Sequence, residues 1–143
     1  MARLDDNYKN TERILYDYKV MKGYIELRKK DLAELKYQGV SAISLSLAKP
    51  SNTKTSDPVS EEFLSVEKIK ARWEQEIKRR EEIIYKVDYA ISLLKEHEKK
   101  IVKLRYIEGK THEQISAFVD YSPRQVMRIR KKCIQKISMV LFD

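Results

Sequence analysis

Two long stretches of the sequence place an apolar residue at every third or fourth position, a spacing typical of helices that bury one face. The chain has only 3 Gly and 3 Pro, fewer than the turns of an all-β protein need. The sequence therefore predicts an all-α protein. The first stretch contains Leu4, Ile14, Tyr18, Met21, Ile25, Leu32 and Leu35, with Arg28 at its one polar position. The second contains Phe63, Val66, Ile69, Trp73, Ile77, Ile84, Val87, Ile91 and Leu94.

These stretches predict an N-terminal long helix over residues 1–37 and a second long helix over residues 60–95. Residues 38–59 between them are rich in Ser, Thr, Asn and Pro, which favours an extended linker. Ser60 is a suitable start for the second helix, because acidic residues follow it in the first turn. An apolar spacing near 3.5 residues indicates a helical hairpin or a coiled coil. The pattern leaves open whether the helices pair within one chain or between the chains of a homo-oligomer.

The last third of the chain contains two helix start signals. Thr111 is followed three residues later by Gln114, and Ser122 is followed in the same way by Gln125, so each pair predicts a capping box. Pro123 takes the first helical position, where its missing N–H costs nothing. Two capped helices joined by a short turn predict a helix-turn-helix, whose second helix lies in the major groove of DNA.

We expect residues 96–143 to form one small helical domain around this motif. Gly109 is expected to end the helix before the motif in a left-handed conformation. The first helix of the motif is expected to run to about Val119, followed by a tight turn. By helical spacing, the buried residues of these two helices are Ile101, Leu104, Ile107, Ile115 and Phe118.

The last helix has two chemically different faces. Arg can bridge O6 and N7 of guanine, and Gln can bridge N6 and N7 of adenine. Lys131, Lys132 and Lys136 lie further along the helix and are expected to meet phosphates. The predicted buried face consists of Val126, Ile129, Cys133, Ile137 and Val140, widened by Ile134 and Leu141. The predicted DNA-facing side consists of Arg124, Gln125, Arg128, Lys131 and Lys132, with Arg130 at its margin.

The distribution of charge agrees with this assignment. The net charge is +8. Residues 98–143 hold 11 Lys and Arg against 5 Asp and Glu, whereas residues 1–97 hold 19 against 17. Most of the excess positive charge therefore lies in the last third, as expected for a segment that binds nucleic acid.

The same sequence argues against several other classes of protein. The only cysteine is Cys133, which we expect to be a buried structural thiol, and His97 and His112 are the only histidines, so no metal site is expected. Three scattered glycines cannot build a phosphate-binding loop, and we expect neither an enzyme nor a cofactor. No stretch approaches the roughly 18 apolar residues of a membrane span, and the N-terminus lacks the apolar run of a signal peptide. A cytoplasmic protein without membrane contact is expected.

Residues 101–116 (IVKLRYIEGKTHEQIS) and 121–137 (YSPRQVMRIRKKCIQKI) resemble region 4 of bacterial sigma factors. That region has an Arg-Tyr pair, a Gly before a Thr-capped helix, and a Ser-capped recognition helix. The resemblance implies that Pro123, Arg124, Gln125 and Arg128 face the bases. Pro123 departs from the usual polar residue there, which puts one base contact in doubt. Nothing upstream resembles the sigma region that melts promoters, so a full sigma factor is not expected.

The layout of the whole chain resembles the ArpU/RinA group of phage late-gene transcriptional regulators. These proteins have an N-terminal helix, a Pro/Ser/Asn/Thr-rich stretch, a middle helix and a basic sigma-like end. The resemblance implies a sequence-specific activator of phage or prophage packaging and lysis genes in a bacterial host. The predicted partners are double-stranded DNA and host RNA polymerase. The predicted DNA-contacting residues are Thr111, His112, Tyr121, Ser122, Pro123, Arg124, Gln125, Arg128, Lys131 and Lys132.

Two other functions fit the same features. A small terminase subunit also joins a helix-turn-helix to long oligomerising helices, although it usually places the DNA-binding part first. A sigma-like module that binds RNA polymerase without touching DNA would use the same fold. The sequence does not determine the DNA site, the oligomeric state or the sign of regulation.

Overall fold

The structure is a computed structural model, and it describes residues 2–38 and 58–142. All regular secondary structure in these ranges is helical, which confirms the all-α prediction for the part of the chain described. The predicted linker lies almost wholly outside the described residues. The elements are α1 (Ala2–Gln38), α2 (Pro58–Ser92), α3 (Glu96–Val102) with a π-helical turn (Lys103–Ile107), α4 (His112–Ser116) and α5 (Pro123–Phe142).

The start of α2 differs from the sequence prediction by two residues. The helix begins at Pro58 rather than at Ser60. Proline is well suited to a first helical position because its φ angle is already helical and the N–H it lacks would have no partner within the helix. The acidic residues that suggested Ser60 as the start therefore lie within the first turns of α2.

The described chain forms two compact units, the first of which comprises residues 1–22 and 82–143. Its main core brings together side chains of α1, α2, α3, the π-helical turn and α5. Removing these apolar groups from water is the main favourable contribution to folding of this unit. The buried members are Leu15, Tyr18, Val87, Ala90, Ile91, Leu94, Val102, Tyr106, Cys133, Ile134 and Ile137.

The contact face of α1 in this unit is rotated relative to the predicted one. Leu15 and Thr11 are fully buried, whereas Ile14 is only partly buried. Thr11 was absent from the predicted stripe because it is polar. Its hydroxyl donates to the carbonyl of Asn7 at 2.7 Å, and this local hydrogen bond allows it to occupy an apolar position.

The second unit comprises residues 23–81. The guanidinium of Arg80 lies 4.0 Å from the centroid of the Tyr24 ring, and that of Arg28 lies 4.8 Å from the Trp73 ring. Position 28 on α1 thus meets an earlier residue of α2 than position 24 does, so the two segments pair in opposite directions within this unit. Of the side chains described in this unit, Ile25, Leu35, Val66 and Ile77 are the buried apolar ones, and all four are members of the predicted stripes.

A smaller core lies at the C-terminal end of the first unit. Ile101 of α3, Ile115 of α4 and Val126 of α5 are each fully buried and form its centre. Leu104, Val119, Tyr121 and Ile129 are partly buried and pack against this centre, and removing either of its two isoleucine side chains should cost roughly 2–5 kcal/mol. No helix among the described residues is both long enough and apolar enough to cross a membrane.

Candidate nucleic-acid interface

Both predicted capping boxes are present. The hydroxyl of Thr111 accepts from the N–H of Gln114 at 3.2 Å, and the Gln114 side chain accepts from the N–H of Thr111 at 3.0 Å. At the start of α5 the matching distances between Ser122 and Gln125 are 3.2 and 2.9 Å. Each box pairs two N–H groups that a helix start otherwise leaves without partners. The two helix starts are thus set by local sequence.

The segment before α4 contains a turn that helical spacing did not predict. The N–H of Glu108 donates to the carbonyl of Lys103, five residues earlier, at 3.0 Å, which defines a π-helical turn. The wider turn moves Tyr106 into the core, where it is 3% exposed, and leaves Leu104 and Ile107 only partly buried. Gly109 ends the segment with a φ of +71°, which confirms its predicted left-handed conformation.

Helix α4 is shorter than predicted, and Phe118 lies on the surface. The helix ends at Ser116, so six residues separate it from α5. Phe118 was predicted to be buried, but 54% of it is exposed, because the N–H of Ala117 donates to the carbonyl of Gln114 and tightens the chain before position 118. The Lys110 ammonium lies 5.5 Å from the Phe118 ring centroid, within range of a cation–π attraction.

The outer face of α5 carries the predicted DNA-facing residues. Arg124, Arg128, Lys131 and Lys132 are exposed and make no hydrogen bond or ion pair with another described residue. At about 100° per residue, these four cations lie within an arc of about 100° of the helix surface. On the opposite side of α5, the predicted residues Val126, Cys133, Ile134 and Ile137 are buried, whereas Ile129, Val140 and Leu141 are partly buried. Unpaired cations on one exposed helix face form a surface that attracts an anionic partner.

Arg130 lies on the inner side of α5, which corrects its predicted place at the margin of the DNA-facing side. Only 9% of it is exposed. Its Nη1 donates to the hydroxyl of Tyr106 at 2.9 Å and to Oε2 of Glu12 at 3.2 Å, and its Nε donates to Nε2 of His112 at 3.1 Å. Burial alone would lower the pKa of Arg130, but its hydrogen bond to Tyr106 and the neighbouring charges raise it. Arg130 is therefore a charged residue held inside the protein.

The missed signal for Arg130 was in the spacing of α5. The residues Val126, Arg130, Cys133 and Ile137 are buried and follow one another at intervals of four, three and four. Helical spacing alone predicts Ile129 in the second place, because it is apolar and equally compatible with the stripe. Whether Ile129 or Arg130 takes the buried position depends on Glu12 and Tyr106, which lie far away in the sequence.

Lys136 is exposed but paired with a carboxylate of the protein, and its predicted phosphate contact stays a prediction. Its Nζ lies 3.1 Å from Oε2 of Glu98, which is itself 6% exposed. Glu98 also accepts from the N–H of Lys95 at 2.9 Å and from the thiol of Cys133 at 3.6 Å. Burial acts to raise the pKa of Glu98, but these hydrogen bonds and the Lys136 charge outweigh it and lower that pKa. Sequence reasoning did not single out Glu98 at all.

Cys133 is a buried structural thiol, as predicted. It is fully buried, and burial together with the nearby Glu98 carboxylate raises its pKa to about 12. The thiol is therefore protonated at neutral pH and unreactive. Among the described residues, no group of three or more His, Cys, Asp or Glu side chains is arranged to hold a metal ion.

The remaining predicted DNA-contacting residues lie around the starts of α4 and α5. Pro123 is exposed, and the hydroxyls of Thr111 and Ser122 accept the capping hydrogen bonds. Tyr121 is half-buried, with its ring centroid 5.6 Å from that of His97. The side-chain oxygen of Gln125 accepts from Ser122, so a two-bond contact with adenine would require the second capping box to open.

The comparisons with known proteins identify one family. Its sequence profile, described as a protein of unknown function (DUF722), matches residues 7–139. The chain belongs to the DUF722 family. No curated protein and no solved structure matches it. The matched range includes α2, α3 and α4 entirely and most of α1 and α5.

Proposed function

We propose that this DUF722 protein is a sequence-specific, double-stranded DNA-binding transcriptional regulator and that α5 is its recognition helix. The observation that carries the proposal is the separation of cations on α5. Arg130 and Lys136 are paired with carboxylates, whereas Arg124, Arg128, Lys131 and Lys132 are exposed and unpaired among the described residues. Exposed cations concentrated on one helix face favour contact with the phosphates and bases of DNA.

The dimensions of α5 support binding in the major groove. Its 20 residues correspond to a length of about 30 Å, and the major groove of B-DNA is wide enough to admit a helix. In a helix-turn-helix the N-terminal residues of the second helix reach the base edges. Arg124 and Arg128 lie there and are assigned to bases, while Lys131 and Lys132 lie further along and are assigned to phosphates.

The biological role follows from the resemblance to phage late-gene regulators. On that basis, we propose that the protein activates phage or prophage packaging and lysis genes in the cytoplasm of a bacterial host. The long helices α1 and α2 would form a hairpin or coiled coil that supports an oligomer or contacts RNA polymerase. The antiparallel order of the Tyr24–Arg80 and Arg28–Trp73 contacts supports the hairpin.

Selection from a random duplex library, using the full chain, tests the proposal. We expect enrichment of a defined motif, and Arg124→Ala and Arg128→Ala should each reduce affinity for it by roughly 1–3 kcal/mol, because a bidentate base contact is lost. Lys132→Ala should weaken binding to every duplex alike. It should also reduce the slope of log affinity against log salt concentration by about one, as for the loss of one phosphate contact. Lys86→Ala, an exposed lysine of α2, is the matched control and should change neither quantity.

Two results would contradict the proposal. If no motif is enriched and the chain binds duplex DNA no better at low salt than at high salt, α5 is not a DNA-binding helix. If the double variant at positions 124 and 128 keeps the motif preference, the recognition residues are assigned wrongly. Native mass spectrometry adds a separate check, since a closed ring of many subunits would favour a packaging role over a regulatory one.

A further inference from the structure

The contact between Arg130 and His112 determines where the imidazole proton lies. Nε of Arg130 is 3.1 Å from Nε2 of His112. The guanidinium has no acceptor atom and does not lose its proton in proteins, so it must donate in this contact. Nε2 therefore offers its lone pair, and the proton of the neutral imidazole is on Nδ1.

The guanidinium of Arg130 is held in place by three partners on other elements. Its Nη1 donates to Glu12 at 3.2 Å, to Tyr106 at 2.9 Å and to the hydroxyl of Tyr8 at 3.4 Å. The Tyr106 hydroxyl also donates to Glu12 at 2.9 Å. Glu12 is thus the one carboxylate in this group, and it orients Arg130 through an ion pair and a shared tyrosine.

The surroundings of His112 favour its neutral form. Burial lowers the pKa of this imidazole, and so do Arg105 from the π-helical turn and Arg130 and Lys131 from α5. Glu113, the next residue of α4, acts in the opposite direction without reversing the result. Protonation would put an N–H on Nε2, facing the Nε–H of Arg130, so that two donors would oppose each other. The neutral imidazole avoids this conflict.

The other imidazole nitrogen is available to a ligand. Nδ1 of His112 makes no hydrogen bond with another described residue, and His112 is half-buried directly after the cap residue of α4. An N–H without a partner at a partly open position can donate to an oxygen from outside the protein.

We propose that Glu12, acting through Arg130, holds His112 in its Nδ1–H tautomer so that the neutral imidazole donates a hydrogen bond to a DNA phosphate oxygen. Glu12 and Arg130 are positioning residues in this scheme, and His112 is the contact residue. The phosphate contact rests on the proposed function, whereas the tautomer does not. The N-terminal helix therefore has a direct chemical effect on the DNA-contacting part of the first unit.

NMR of the imidazole nitrogens in the full ¹⁵N-labelled chain tests the tautomer. The protein has only 2 histidines, so His97→Gln assigns both sets of signals. We expect an Nδ1–H pattern for His112. We expect Glu12→Gln to shift this pattern towards Nε2–H, because Arg130 loses the ionic partner that holds its Nε–H against Nε2. Glu113→Gln removes a carboxylate that faces His112 without touching Arg130, so it is the control and should keep the Nδ1–H pattern.

An Nε2–H pattern in the unsubstituted protein overturns the proposal, whatever the protein does with DNA. An unchanged Nδ1–H pattern in a folded Glu12→Gln protein overturns the role of Glu12. Should that variant fail to fold, Tyr8→Phe gives the second measurement. It removes one partner of Arg130 on α1 and should shift the pattern in the same direction by a smaller amount.

Two substitutions of His112 test the phosphate contact. Asn keeps a donor near the position of Nδ1 but loses the acceptor, whereas Gln keeps an acceptor near Nε2 but loses the outer donor. On a random-sequence duplex at low salt, His112→Gln should weaken binding by about three- to tenfold and His112→Asn by less than about twofold, as for loss or retention of one hydrogen bond. Equal affinities for the two variants overturn the phosphate contact. If the unsubstituted chain binds no DNA, the proposed function and this contact both fail, while the tautomer is still decided by NMR.

Discussion

The inner and outer cations of α5 differ in what surrounds them. Arg130 is almost fully buried and is bonded to Glu12, Tyr106 and His112. Arg128, two residues earlier on the same helix, is exposed and makes no hydrogen bond or ion pair with another described residue. The two residues have the same side chain and nearly the same place in the sequence, so only the direction in which each points separates them.

This difference separates structural charges from charges available to a partner. A charge taken out of water needs partners in good geometry, and removing one of them leaves the others uncompensated. A charge that remains in water contributes little to stability, but it retains its full attraction for an anionic ligand. The inner cations should therefore affect stability and the outer ones DNA affinity.

The largest effect should come from Arg130. Arg130→Ala removes the partner of the Glu12 carboxylate and leaves Tyr106 and His112 without their bonded donor, so the free energy of unfolding should fall by about 3 kcal/mol or more. Urea denaturation followed by circular dichroism measures the change. Arg128→Ala is the matched control and should change stability by less than about 0.5 kcal/mol. Equal effects of the two variants would remove the distinction between the inner and outer faces.

A smaller effect should come from the ion pair between Glu98 and Lys136. Glu98→Gln keeps the acceptor for the N–H of Lys95 but turns an amide donor towards Lys136 and Cys133, which should cost about 1–3 kcal/mol. The side chain of Lys136 is 56% exposed and remains hydrated, so the cost should lie below that of Arg130→Ala. A neutral outcome at pH 7 would mean that the Lys136 ion pair contributes nothing and that Lys136 belongs with the outer cations.

The Glu98 variant should also change the response to acid. Because the fold lowers the pKa of Glu98, this carboxylate stabilises the protein above its unfolded pKa of about 4.3, and the contribution is lost as the pH falls through the folded pKa. Urea denaturation between pH 5 and pH 3 should therefore show a shallower loss of stability in Glu98→Gln than in the unsubstituted protein.

The smallest effect should come from His112. Folding lowers its pKa, so the neutral imidazole stabilises the fold above the unfolded pKa of about 6.5, and this contribution declines as the pH falls from there through the folded pKa. Comparing the unfolding free energy of the unsubstituted protein and His112→Asn from pH 7.5 downwards measures it. The gap between the two should narrow on acidification, and a gap that widens would contradict the inward contact with Arg130.

Features that depend on neighbouring residues were predicted well from the sequence. The capping boxes at Thr111 and Ser122 join residues three apart, and Gly109 needs only the conformation of its own backbone. The apolar side of α5, including Cys133, follows from helical period because one face of an amphipathic helix must be buried. These are local or periodic signals, and they required no knowledge of what packs against the helix.

Features that depend on distant partners were missed or wrongly assigned. The inward direction of Arg130 depends on Glu12, 118 residues earlier in the chain, and the pairing of Lys136 depends on Glu98, 38 residues earlier. Phe118 was assigned to the core because it is apolar and falls on the stripe, but the chain leaves the helix before that position.

The sequence by itself determined the helical class, the helix starts near the C-terminus and the excess of positive charge in the last third of the chain. Each of these follows from short-range hydrogen bonding, periodicity or composition. Only the tertiary structure decided which of the cations of α5 are paired with carboxylates of other helices and which are left exposed without such a partner among the described residues. A lysine or arginine is compatible with either place until the carboxylates and tyrosines of other helices come within hydrogen-bonding distance, and that distance is set by packing of the core.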